Sequence, residues 1–130
     1  MTMKTVTLDP AGGAEQLRAV RDALAAGRIV AVPTDTVYGL VCDGRNEAAK
    51  ERIYRIKGRP AEKTLIGFVA GVDEARRFAA MDAAAARLAA RRWPGPHTFV
   101  FRSAADIPFL TTPAGTIGLR SPDHPFLREL

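Results

Sequence analysis

Ile29-Val30-Ala31-Val32-Pro33-Thr34-Asp35-Thr36-Val37-Tyr38-Gly39-Leu40 passes from an uninterrupted apolar run into hydroxyl and carboxylate side chains. Gly27 and Pro33 bound the run, the pattern of a short strand buried on both faces of a sheet. Thr34, Asp35 and Thr36 then stand at the strand's carboxyl end, where ligands collect in open α/β sheets. The same residues also suit simple turn chemistry, with side chains bonding nearby backbone N–H groups and a tight turn at Gly39.

Upstream, residues 14 to 26 carry Leu17, Val20 and Leu24 at helical spacing, with Gly27 placed as a C′ cap. Val6-Thr7-Leu8 reads as a short edge strand and Asp9 to Gly13 as a Pro/Gly turn. Downstream, Asn46 is the N-cap of a second helix with Ala49, Ile53 and Ile56 inward and Lys50, Arg52 and Arg55 outward. Leu65 to Val69 reads as another buried strand. Asp73 and Asp82 are the expected N-caps of two Ala-rich helices, the second ending before Trp93-Pro94. Thr98 to Phe101 and Thr116 to Leu119 are two further strands around an irregular stretch, Ser103 to Gly115. From Pro122 the chain enters the first turn of a helix. Strands alternating with helices give an α/β fold with a mixed sheet, as one domain over residues 1–130.

The 130 residues are 47% hydrophobic and 25% charged, a globular rather than a disordered composition. No apolar run reaches membrane-spanning length and no secretory signal stands at the N-terminus, so no membrane association is expected. The lone cysteine, Cys42, fits a reducing cytoplasm and, lacking an activating neighbour, reads as a structural thiol. A net charge of +5 and a pI near 10.0 suit polyanionic partners, and equally suit arginines scattered over solvated helix faces.

Arg120 follows a strand as Thr34 does, and the two can share one crevice. Lys57 and Arg59 flank Gly58 at the end of the second helix, where a cation pair suits a phosphate chain or simply complements the helix dipole. Trp93 is read as a core anchor, Pro94-Gly95-Pro96 as a rigid turn, and His97 and His124 as turn or surface residues. Two histidines and one cysteine without clustered carboxylates do not build a zinc site. Neither a P-loop nor a Gly-x-Gly-x-x-Gly fingerprint is present.

Four segments, taken in order, resemble the YrdC-like family that makes threonylcarbamoyl-adenylate. They are Gly27 to Val32 leading into Pro33 to Leu40; Ile53-Tyr54-Arg55-Ile56-Lys57-Gly58-Arg59-Pro60; Trp93 to Phe101; and Gly118-Leu119-Arg120-Ser121-Pro122-Asp123-His124-Pro125. The resemblance implies a twisted mixed sheet flanked by helices, with a basic concave surface. It implies a nucleotidyl transfer that uses L-threonine, bicarbonate and ATP and releases pyrophosphate, with Mg²⁺ carried on the ATP phosphates. The product would feed threonylcarbamoyl-transferase proteins acting on adenosine 37 of tRNA. By position, Thr34, Thr98 and Arg120 would hold threonine, and Lys57 and Arg59 the ATP phosphates. Arg120 would neutralise a carboxylate or a phosphate. No protein nucleophile and no dedicated metal ligands are implied, since positioning and fixed cations stabilise the leaving pyrophosphate.

Two departures from the family pattern stand out. Lys63-Thr64-Leu65 replaces a Lys-Pro-Leu segment, and no Ser-x-Asn segment of the nucleotide site is found before Leu130. The chain is therefore expected to be incomplete at its C-terminus and weakly active or inactive alone. The competing expectation is a non-catalytic module that binds double-stranded RNA or tRNA. A carbamoyl-transfer domain of the hydrogenase-maturation type is a third.

Overall fold

The computed structural model describes residues 3–7 and 13–130. Eleven elements follow in order: α1 Ala14–Ala25, β1 Val30–Val32, β2 Gly39–Val41, α2 Glu47–Lys57, β3 Gly67–Phe68, α3 Val72–Ala75, β4 Ala79–Ala80, α4 Ala83–Arg92, β5 Phe99–Ser103, β6 Thr116–Arg120 and α5 Pro125–Glu129. β1 and β2 form an antiparallel pair, while the other strands make a four-stranded sheet in the order β3-β6-β5-β4. β3 runs parallel to β6, and the remaining pairs are antiparallel. The expected mixed sheet with flanking helices is what forms.

The core lies against one face of the larger sheet. Side chains alternate across β5 and β6, so Phe101, Ile117 and Leu119 point to that face. Trp93, Ala89 and Ala75 cover them from α4 and α3. Trp93 is the anchor the sequence predicts: its ring meets Phe99 and Phe101 edge-on, and its indole N–H donates to the His97 carbonyl at 2.7 Å. That bond ties the Pro94-Gly95-Pro96 turn to the core. His97 is exposed, as expected.

Helix ends follow local chemistry. Asn46 accepts from the Ala49 N–H at 3.0 Å and Asp82 from the Ala85 N–H at 2.7 Å. Gly27 and Gly58 take positive φ, 75° and 58°, after α1 and α2. Asp73 is no cap. Gly71 holds that position, and Glu74 reaches back to the Ala70 N–H at 2.6 Å, so α3 is a single short turn.

Other expectations shift too. Val6 and Thr7 are exposed and unpaired, while Leu8 and Asp9 to Gly12 lie outside the described residues. β1 is covered on one face only: Val32 is buried but Ala31 is exposed. Gly39 opens β2 opposite Val32. β3 is shorter than Leu65 to Val69, although Leu65 N–H still bonds Phe109 O and Val69 N–H bonds Arg120 O. The α2 face is rotated by about a sixth of a turn from the expected one. Ile56 is 58% exposed, whereas Lys50 is 2% exposed beside Ala49, Ile53 and Tyr54. Lys50 tolerates this because its ammonium donates to the Pro108 carbonyl at 2.7 Å and faces the Phe109 ring.

Candidate functional site

The turn after β1 is closed by its own hydroxyls. Thr34 Oγ1 donates to the Val37 carbonyl at 2.6 Å and accepts from the Thr36 N–H at 3.1 Å. Thr36 Oγ1 lies 3.1 Å away. The turn chemistry expected from the sequence is therefore present, and it leaves Asp35 to pair outside the turn.

Asp35 meets Arg120, the last residue of β6. The Arg120 Nη2 and Asp35 Oδ1 form an ion pair in which both side chains are 12% exposed. Arg120 Nε also donates to the Gly95 carbonyl at 3.2 Å, and Thr36 Oγ1 lies at 3.4 Å from both terminal nitrogens. Phe68, register partner of Arg120 on β3, sets its ring 5.9 Å beneath the guanidinium. One arginine thus joins the turn after β1, the Pro94-Gly95-Pro96 turn and the end of β6. Thr34 does not itself bond Arg120; its turn reaches the arginine through Asp35 and Thr36.

Sheet alternation supplies its floor. Gly118 and Arg120 lie on the face opposite the core, with Val100 across from Gly118. A side chain on Gly118 would meet Ile66 Cδ1 at 2.9 Å and Thr98 Cγ2 at 3.6 Å, so Thr98 sits on this same face. Ile66, Phe68 and Val100 are exposed here, giving an apolar shelf with Arg120, Asp35 and the threonine hydroxyls at one end.

Lys57 and Arg59 are placed differently. Arg59 donates to the carbonyls of Lys63 at 3.1 Å and Thr64 at 2.6 Å, and Tyr54 Oη donates to Lys63 O at 2.6 Å. Those bonds shape the run that leads into β3. Lys57 is exposed and has no side-chain partner among the described residues. Neither cation contacts Thr34, Thr98 or Arg120. Sequence reasoning placed Asp35 in the crevice but did not see it as the counter-charge of Arg120, nor Phe68 and Gly95 O as its supports. The available signal was a carboxylate flanked by two hydroxyls at a strand end.

Other polar groups do less. Burial pushes the Cys42 thiol pKa up, the opposite of what an activated thiol needs. Asp43 is held below the usual carboxylate range by its hydrogen bond from Arg45, a surface pair. An open depression of about 450 Å³, lined by Ser103, Asp106, Thr111 and Thr112 among others, lies at the far end of β5 and contains no cation. The cation, carboxylate and hydroxyls converge at the Arg120 end instead.

The family described as Sua5/YciO/YrdC, telomere recombination, matches residues 22–130. This chain belongs to the Sua5/YciO/YrdC family. A threonylcarbamoyl-AMP synthase of Vibrio vulnificus is 37% identical over 118 residues, covering 88% of this chain and 63% of the relative. The Homo sapiens threonylcarbamoyl-AMP synthase is 38% identical over 125 residues, covering 92% of this chain and 43% of the relative. Among solved structures, P. abyssi Sua5 complexed with L-threonine superposes with a TM-score of 0.80 at 33% identity, over 88% of this chain and 34% of that one. The chain thus spans less than two thirds of the length of these Sua5/YciO/YrdC relatives. Every motif quoted from the sequence falls within the matched region.

Proposed function

We propose that this chain acts in the synthesis of threonylcarbamoyl-AMP and pyrophosphate from L-threonine, bicarbonate and ATP. The observation that carries the reading is the Asp35–Arg120 pair, which sets the turn holding Thr34 against the end of β6, the strand whose open face also meets Thr98. Relatives named threonylcarbamoyl-AMP synthase and a Sua5 structure holding L-threonine support it. Thr34 and Thr98 offer hydroxyls to the threonine, and Arg120 offers a cation to its carboxylate. Lys57, free of partners among the described residues, is available to an ATP phosphate. Arg59 has a preorganised guanidinium that shapes the segment beside it and presents its remaining donors to the same phosphates.

Activation of a carboxylate by ATP develops negative charge on the departing pyrophosphate, so fixed cations stabilise the transition state without a protein nucleophile. The described residues hold no group of three His, Cys, Asp or Glu side chains that could bind a metal. An Mg²⁺ ion would be carried in on the ATP phosphates. No helix among the described residues is long and apolar enough to cross a membrane. A cytoplasmic role beside threonylcarbamoyl-transferase proteins fits this reading and the lone Cys42.

The +5 charge supports a second reading, a module for double-stranded RNA or tRNA. The test of both is pyrophosphate release and mass-spectrometric detection of threonylcarbamoyl-AMP. Product that requires threonine, bicarbonate and ATP supports the enzyme. RNA binding that weakens steeply with salt, without any such product, supports the module.

A further inference from the structure

The resemblance leaves Arg120 to meet either a carboxylate or a phosphate. Its surroundings distinguish the two. The guanidinium is already paired with Asp35, so the pair is neutral as a unit. A phosphate entering here gains the attraction of Arg120 but also meets the repulsion of a carboxylate against that arginine. A ligand carrying both charges meets no such conflict.

Each member of the pair also keeps an open atom. Asp35 uses Oδ1 for Arg120, and its Oδ2 has no hydrogen-bond partner among the described residues. Arg120 gives Nε to Gly95 O and Nη2 to Asp35, whereas Nη1 has only a long 3.4 Å contact with the Thr36 hydroxyl. Thr34 Oγ1 has its proton on Val37 O and accepts from the Thr36 N–H and the Thr36 hydroxyl, so it is already satisfied within the turn. The open positions are thus a donor edge on Arg120 beside one acceptor, Asp35 Oδ2, where one turn meets one strand end.

We propose that Asp35 and Arg120 act together as a zwitterion reader, Arg120 taking the α-carboxylate and Asp35 the α-ammonium of a free amino acid. This rests on the reading of the crevice as the threonine site and assigns Asp35, a residue outside the threonine-binding set above, to substrate selection. Charges of ligand and protein then alternate in sign. Arg120 is thereby removed from the phosphate-binding set, which falls to Lys57 and Arg59.

The test is calorimetric titration of the full chain with three ligands: L-threonine, its deaminated isostere 2,3-dihydroxybutanoate, and L-threoninamide, which lacks the carboxylate. The unaltered chain is expected to bind threonine about tenfold or more tighter than either analogue, as charge-assisted hydrogen bonds of this kind imply. Asp35→Asn is expected to weaken threonine by a similar factor while leaving 2,3-dihydroxybutanoate unchanged or tighter, so the preference between them collapses. Asp35→Glu, which keeps the charge, is expected to restore preference for the ammonium-bearing ligand. Loss of both ligands in equal proportion in Asp35→Asn, with preference intact, would show a merely structural role and overturn the inference alone. Failure of the unaltered chain to bind any of the three would overturn the threonine site itself, and the inference with it.

Discussion

Arg120 distributes its donors over three segments, so its removal exposes the cost of what remains. Arg120→Ala leaves the Asp35 carboxylate at 12% exposure without its cation, next to a Gly95 carbonyl without its donor. Loss of one partner from a pair of this burial is expected to lower stability by about 3 kcal/mol, read from the urea midpoint. The double change with Asp35→Ala should cost less than the sum of the two single changes, because no unpaired charge remains. Lys57 and Arg59 should separate in the opposite way. Lys57→Ala should reduce pyrophosphate release with no shift in melting temperature, whereas Arg59→Ala should lower both, since it releases the carbonyls of Lys63 and Thr64. Lys50 gives a pH test. Burial holds its ammonium pKa below the ordinary value, so unfolding takes up a proton in the window beneath about 10.4. Stability therefore rises with pH across that window and levels off above it. Lys50→Met should flatten this part of the profile, as seen by comparing urea midpoints of the two proteins between neutral and alkaline pH.

Caps and strands show why some elements are legible from sequence and others are not. Asn46 and Asp82 act through bonds to N–H groups three residues on, a local relation, and both were readable. Replacing either by Ala is expected to cost about 1 kcal/mol in denaturant unfolding. β5 and β6 were readable because four or more consecutive residues carry the pattern. β2 and β4 were not: each is two or three residues long and exists only through its partner. The rotated face of α2 has the same origin. Lys50 is buried because a carbonyl and a ring from residues 108 and 109 wait for it, and no helical periodicity carries that information. Gly118 tests the open face directly. A Cβ there would sit 2.9 Å from Ile66 Cδ1, so Gly118→Val should displace Ile66 and Thr98 and weaken threonine binding more than Val100→Ala does.

At the scale of the molecule, one sheet separates two jobs. The face under α3 and α4 holds the aromatic and aliphatic core, and the other face carries an exposed shelf ending in Thr98, Arg120 and Asp35. Thr34, Asp35 and Arg120 were legible as candidates because each follows an apolar strand, whereas Thr98 entered only through the family resemblance. Their mutual geometry was not, because residues 35 and 120 meet only when the turn after β1 is brought against the end of β6. The most direct test of the account is to follow the backbone amides of the chain by NMR while L-threonine is added. The structure predicts saturable shifts clustered at Thr34 to Val37, Gly95, His97 and Thr98, and Leu119 to Ser121. Shifts confined to the depression around Ser103, Asp106 and Thr112, or none at all at saturating threonine, would contradict it.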